Sequence, residues 1–196
     1  MEVIQNTALR FKVPDHFYPN LVSGIERLET LRDYGMQKEV VVYWGYEEAA
    51  LLAYLFDGEQ PNSAIPDIPS PILKDYNWPG IFRPFDHQKD TASFLSLRKR
   101  AFCFNEAGTG KTSAAIWAAD YLMNKGLIKR VLVICPLSIM HTAWRTDIFN
   151  TAMHRSSAVA YGSSTKRKTI INGDYEFIII NYDGVNIVRD EIAKGG

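Results

Sequence analysis

The chain of 196 residues is poor in several things, and each shortage excludes a class of protein. It has two cysteines, Cys103 and Cys135. Both lie inside apolar runs, which points to reduced core residues of a cytosolic protein rather than a disulfide framework. No apolar run approaches the roughly 20 residues that a bilayer-spanning helix needs, so no membrane association is expected. The first residues, MEVIQNTALRFK, lack the basic-then-apolar layout of a secretion signal. Thirteen glycines and nine prolines are too few for a collagenous or low-complexity chain. Net charge is also missing, with 22 basic and 22 acidic side chains. What is present is a 46% hydrophobic composition, enough for a folded core.

The balance of charge conceals an asymmetry. Residues 1–98 carry 9 Lys and Arg against 14 Asp and Glu, and residues 99–196 carry 13 against 8. An acidic front and a basic back suggest a polyanionic partner for the back half, although no basic block exceeds Lys166-Arg167-Lys168. That run reads as a solvated helix face. Six prolines fall between Pro61 and Pro84. Proline fixes φ, removes a donor and disfavours helix in the residue before it. The chain is therefore expected to divide into a small α+β domain over 1–60, an extended linker over 61–84, and a second domain over 85–196.

In the front domain, ALRFKV (8–13) and EVVVYWG (39–45) suit strands. Leu21, Ile25, Leu28 and Arg32 recur at helical spacing with Gly35 as a stop, and Glu47–Phe56 reads as a second helix ending near Gly58. Tyr43, Trp44 and Tyr46 are expected to pack the domain. The back domain alternates: AFCFN (101–105), an all-round apolar helix from Thr112 to about Asn124 stopped by Gly126, RVLVIC (130–135), a helix near 140–149, SAVAYG (157–162), a helix near 165–171, and EFIIIN (176–181). Continuous strand residues separated by helices predict a parallel sheet covered on both faces, with ligands at the strand-to-helix loops. The fold class is α/β.

The strongest signal is Asn105-Glu106-Ala107-Gly108-Thr109-Gly110-Lys111-Thr112, placed between a predicted strand and a buried helix. Glycines let successive backbone N–H groups curl around a phosphate, and the helix adds its positive end. Lys111 supplies a cation for the β- and γ-phosphates, and the Thr112 hydroxyl suits Mg²⁺. Asn105 stands where the general phosphate-loop pattern has its first glycine. These residues call for ATP and Mg²⁺, with Lys111 and Thr112 in the catalytic role.

NEAGTGKT resembles the phosphate loop of Swi/Snf-type DNA-translocating ATPases of helicase superfamily 2, of phage or bacterial type. Upstream, Phe82-Arg83-Pro84-Phe85-Asp86-His87-Gln88 is similar to the segment whose glutamine reads adenine in that family, which implies this role for Gln88. Downstream, VLVICPLSIMHTAWRTDI (131–148) resembles the family's second motif, and IIINYD (178–183) its next strand. The resemblance implies an incomplete first RecA-like lobe. It also implies contacts of Pro136, Ser138, Asn181 and Tyr182 with double-stranded or branched DNA, and a partnering second RecA-like lobe. Trp144 is expected to pack the lobe. Hydrolysis needs an acidic pair, one carboxylate for Mg²⁺ and one for the attacking water. Asp183 and Asp190-Glu191 are the candidates, and neither fits: Asp183 ends a strand with no acid after it, and Asp190-Glu191 reads as helical. The family's Asp-Glu motif is therefore expected beyond residue 196, leaving a chain that binds ATP without turning it over. A non-catalytic nucleotide- or DNA-binding module, or another kind of phosphate-loop protein, is the alternative.

Overall fold

The computed structural model describes residues 1–56 and 67–194. It divides into two compact units, one of residues 1–76 with 93–102 and the other of residues 77–92 with 103–196.

The first unit holds a four-stranded antiparallel sheet of order β1-β2-β4-β3. Its strands are β1 (Glu2–Ile4), β2 (Ala8–Pro14), β3 (Leu28–Asp33) and β4 (Gln37–Tyr43), with α1 (Tyr18–Gly24) and α2 (Tyr46–Phe56) packed against it. Alternation along β2 buries Leu9, Phe11 and Val13, which meet Val40 and Val42 of β4 and Leu21, Ala49 and Leu52 of the helices. One expected element changes type. Leu28 and Arg32 do not continue a helix from Leu21 but lie on β3, and Gly35 (φ +80°) turns the β3–β4 hairpin instead of ending a helix. A helical spacing of apolar residues loses here to edge pairing with β4, and all but Leu28 of β3 is exposed. Trp44 is buried as expected, and its indole N–H donates to the Pro69 carbonyl at 2.8 Å.

The proline-rich stretch is not an open connector where it is described. Residues 61–66 and the expected helix stop at Gly58 lie outside the described residues. In the first unit, Ile68, Ser70, Ile72 and Tyr76 are buried, and α3 (Ile72–Asp75) forms one helical turn. The Ser93 hydroxyl accepts from the Ser70 N–H at 2.9 Å, which anchors the segment. In the second unit, residues 78–81 lie against helices. Trp78 meets Trp117 edge to face at 5.7 Å, the Trp117 indole donates to the Pro79 carbonyl, and Ile81 N–H donates to Asn150 O. Aromatic burial overrides the extended preference of proline.

The second unit is built on a parallel sheet of order β5-β7-β6, with β5 (Val131–Cys135), β6 (Ser157–Val159) and β7 (Phe177–Asn181). All five residues of β7 are buried, as a central strand covered on both faces requires. Around the sheet run α5 (Lys111–Asn124), α6 (Thr146–Ala152), α7 (Ser164–Ile171), α8 (Tyr182–Ile187) and α9 (Arg189–Lys194), while α4 (Asp86–Leu97) begins in this unit and ends in the first. A 3₁₀ turn (Leu137–Ile139) and a π-helical stretch (Met140–Arg145) lead into α6, where a single helix is expected. Ile116, Val133, Met140, Ile148, Phe177 and Ile179 form one core, against which Trp144 packs; Ala160, Ile171, Ile178, Ile180 and Val188 form the core on the sheet's other face. The predicted strand 101–105 does not form. Residues 101–106 have no regular structure, and Phe102 and Phe104 are 81% and 88% exposed. Strand propensity alone cannot hold a segment that has no ladder to join.

A charged cluster ties the amino edge of this sheet. Asp120 of α5 is fully buried, and its carboxylate accepts from Arg155 Nε at 2.5 Å and faces His154 Nε2 at 2.9 Å. Arg155 also reaches Glu176 at 2.6 Å, and Glu176 accepts the Ser156 N–H at 2.8 Å. Burial raises the Glu176 carboxyl, but the hydrogen bonds from Arg155 and Ser156 outweigh it and hold the group below its ordinary value. Removing one member of a buried charged set leaves the others desolvated. Asp120→Ala is therefore expected to lose about 3–5 kcal/mol in urea unfolding. A lowered folded-state value means stability present above the ordinary carboxylate range and lost as pH falls. The stability gap between the native chain and Glu176→Gln should thus narrow below about pH 4 in the same assay.

Candidate nucleotide and nucleic-acid site

α5 is followed by a short turn (125–130), so it runs back along the sheet and brings its first turn to the edge where β5 ends. The turn around residues 105–110 feeds that helix end. Gly108 (φ +79°) and Gly110 (φ +76°) both adopt the left-handed region, where a side chain is strained, and a β-carbon on Gly110 would overlap the Gln88 amide. A β-carbon on Gly108 would meet nothing within 4 Å, so open space lies beside that glycine. Thr109 closes the loop by donating to the Glu106 carbonyl at 2.8 Å.

Lys111 is held over this loop. Its ammonium donates to the carbonyls of Asn105 and Glu106, each at 2.7 Å. A cation parked on neutral carbonyls at a helix start is ready to exchange them for a phosphate, which offers full charge. Thr112 is half-buried on the first turn of α5. The lysine, the Thr112 hydroxyl and the unpaired N–H groups of the first turn of α5 are the donors gathered at this helix start. Thr112 is the one expected metal ligand; among the described residues no group of three or more His, Cys, Asp or Glu comes together to hold a metal.

Gln88 is brought to the loop, with a duty the sequence did not disclose. It stands at the third position of α4, and its side-chain oxygen accepts the Phe85 N–H at 2.9 Å, closing the helix start as a capping box does. Its amide nitrogen donates to the Thr109 carbonyl at 3.2 Å. One amide proton and one lone pair remain for a ligand. Two neighbours join it from the same helix: His87 Nε2 lies 3.1 Å from the Thr109 carbonyl, and Thr91 accepts from the Asn105 amide at 2.8 Å. The positions i, i+1 and i+4 share one helix face. Nothing in the residue pattern marked His87 or Thr91.

The other predicted residues gather at the ends of β5 and β7. Parallel register pairs Cys135 with Asn181, so the two following loops leave side by side. Pro136 and Ser138 are exposed, as is Tyr182 on the first turn of α8. Asn181 is different, at 7% exposure with its side-chain oxygen accepting from Arg167 at 2.9 Å. Arg167 was expected on a solvated face. It is buried instead, and also donates to the carbonyls of Ala160 (2.7 Å) and Gly162 (3.0 Å). One guanidinium thus satisfies two carbonyls of the loop after β6 and the Asn181 side chain that ends β7. Burial pushes the Cys135 thiol up, as befits a core thiol, whereas Cys103 is half-buried. Asp183 lies in the first turn of α8, and Glu191 pairs with Lys168 at 2.7 Å on α9.

No curated protein matches the chain. Among solved structures, it is similar to the Sulfolobus solfataricus SWI2/SNF2 ATPase core in complex with dsDNA, at 24% identity and a TM-score of 0.48, over 54% of this chain and 23% of that one. The chain thus spans under a quarter of the length of that relative. A family model described as type III restriction enzyme, res subunit, matches residues 81–194, more than half of the sequence and all of the site just described. The chain belongs to this family, whose domain is of the superfamily 2 helicase type.

Proposed function

We propose that the chain is the ATP-binding part of a DNA-dependent motor, its second unit the first RecA-like lobe and its first unit an accessory domain. The observation that carries this reading is the loop 105–112. Two glycines at positive φ lead into a lysine and a threonine on the first turn of a 14-residue helix, at the carboxyl end of a parallel sheet. On this reading the N–H groups of residues 106–110 turn toward the triphosphate. Lys111 leaves its two carbonyls for the β- and γ-oxygens, and Thr112 contributes its hydroxyl to the accompanying Mg²⁺. The bound nucleotide supplies the phosphoanhydride whose cleavage drives a motor of this type. Gln88 turns its remaining donor and acceptor to the adenine.

DNA, double-stranded or branched, lies across the adjacent loops after β5 and β7. Pro136, Ser138 and Tyr182 face its backbone, and Asn181 acts through the main chain it braces. The full motor then needs a second RecA-like lobe across the nucleotide, and it works in the cytoplasm of a bacterial or phage-infected cell. A second reading, that this polypeptide by itself binds ATP without turning it over, is favoured by the acids available. Asp183 lies in the first turn of α8 with no acid beside it, and Glu191 is paired with Lys168.

A lysine–phosphate hydrogen bond is worth about 1.5–3 kcal/mol, or roughly ten- to a hundredfold in affinity. Lys111→Ala should weaken ATP binding to the 196-residue chain by that factor in calorimetry, without changing its melting temperature; equal affinity contradicts the site. Gly110→Ala combines a left-handed backbone with overlap on Gln88 and should abolish measurable ATP binding. Phosphate release by the same chain should stay at background with and without duplex DNA, and DNA-stimulated release would refute the second reading.

A further inference from the structure

The first unit contains a cavity of about 470 Å³ that the motor reading leaves without a role. It is lined by Gly24 and Ile25 at the end of α1, Glu26 and Arg27 before β3, and Glu47, Glu48 and Leu51 of α2. Three carboxylates thus face one guanidinium. Arg27 is already engaged: it forms an ion pair with Glu48 Oε1 through Nε at 2.7 Å and through its terminal nitrogen, and its guanidinium lies 4.1 Å over the Tyr43 ring.

Glu48 carries the argument. Its side chain is 8% exposed, and although Oε1 is bonded to Arg27, Oε2 is buried with no hydrogen-bond donor. A carboxylate oxygen stripped of water and left without a donor costs free energy of a size that folded proteins rarely tolerate without a reason. Gly45 adds a second sign. A β-carbon there would overlap Oε2, so a side chain at this position would displace that oxygen. The lining also includes two aliphatic side chains, Ile25 and Leu51. The three acids do not form a metal-holding group. Carboxylates and aliphatic side chains in one lining suit a cationic head on a hydrocarbon stem.

We propose that this cavity binds an ammonium or guanidinium group carried on an aliphatic stem, with Glu48 Oε2 as its buried acceptor and Glu47 and Glu26 as outer counter-charges. The group has two sources, a free polyamine or a lysine or arginine side chain of a protein partner. The surplus of acidic residues in this unit argues in the same direction, because it attracts cations and repels nucleic acid.

The test is titration of the ¹⁵N-labelled 196-residue chain with putrescine, with N-acetyl-lysine methylamide, and with n-butanol as an uncharged control. Saturable shifts at the amides of Gly24, Arg27, Gly45 and Glu48 are expected with both amines and not with the alcohol. Tighter binding of putrescine assigns the source as a free polyamine, and tighter binding of the lysine amide assigns it as a protein side chain. Glu48→Gln should weaken either amine at least tenfold. Gly45→Ala, which crowds Oε2 without removing a charge, should do the same if Glu48→Gln fails to fold. Absence of saturable shifts at these residues, equal shifts with n-butanol, or unchanged affinity in both variants overturns the proposal.

Discussion

β7 takes a parallel partner on each side and is buried along its whole length, and that pairing fixes where every loop of the second unit emerges. Cys135 stands opposite Asn181 and Val159 opposite Ile179, so the chain leaves β5, β7 and β6 along one edge. α5 feeds the amino end of β5 through the short turn 125–130, which is why its first turn lies at the opposite, carboxyl edge. The glycine-rich turn 105–110 and two exposed loops share the edge as a consequence of connectivity.

Two buried polar clusters guard the ends of this sheet. At the amino edge, Asp120, Arg155 and Glu176 bind α5, the segment before β6 and the start of β7. At the carboxyl edge, Arg167 binds the ends of β6 and β7 through Ala160, Gly162 and Asn181. Each arginine satisfies carbonyls or carboxylates from separate segments, which a hydrophobic residue could not do. The second cluster holds the backbone from which Tyr182 projects. The turn 105–110 has a comparable brace in the first turns of α4, where Gln88, His87 and Thr91 all bond to residues 105–109. The loop is thus braced by residues that lie 14 to 22 positions upstream.

Much of this was legible in the residues. Apolar runs marked β5 and β7, the all-round apolar helix gave α5, and the glycine–lysine–threonine turn stood out because few other backbones need that sequence. Elements that depend on distant partners were not legible. Leu28 and Arg32 keep helical spacing with Leu21, yet edge pairing draws them into β3. Residues 101–105 have strand composition but no neighbouring strand to bond. Arg167 sits in a basic run that reads as solvated, and only the topology that brings the ends of β6 and β7 to it explains its burial. The same holds for Gln88, whose capping bond to Phe85 depends on where α4 begins. Proline in residues 67–81 signalled an extended chain, whereas Ile68, Ile72 and Trp78 supply enough apolar surface to pin it down.

The account rests on ATP lying in the turn ahead of α5. Backbone amide shifts of the 196-residue chain during an ATP titration test it most directly. The expected result is large, saturable movement of the amides of residues 106–112, with downfield shifts at Gly108 and Gly110 as they donate to phosphate. Saturable shifts elsewhere with residues 106–112 unmoved would contradict it.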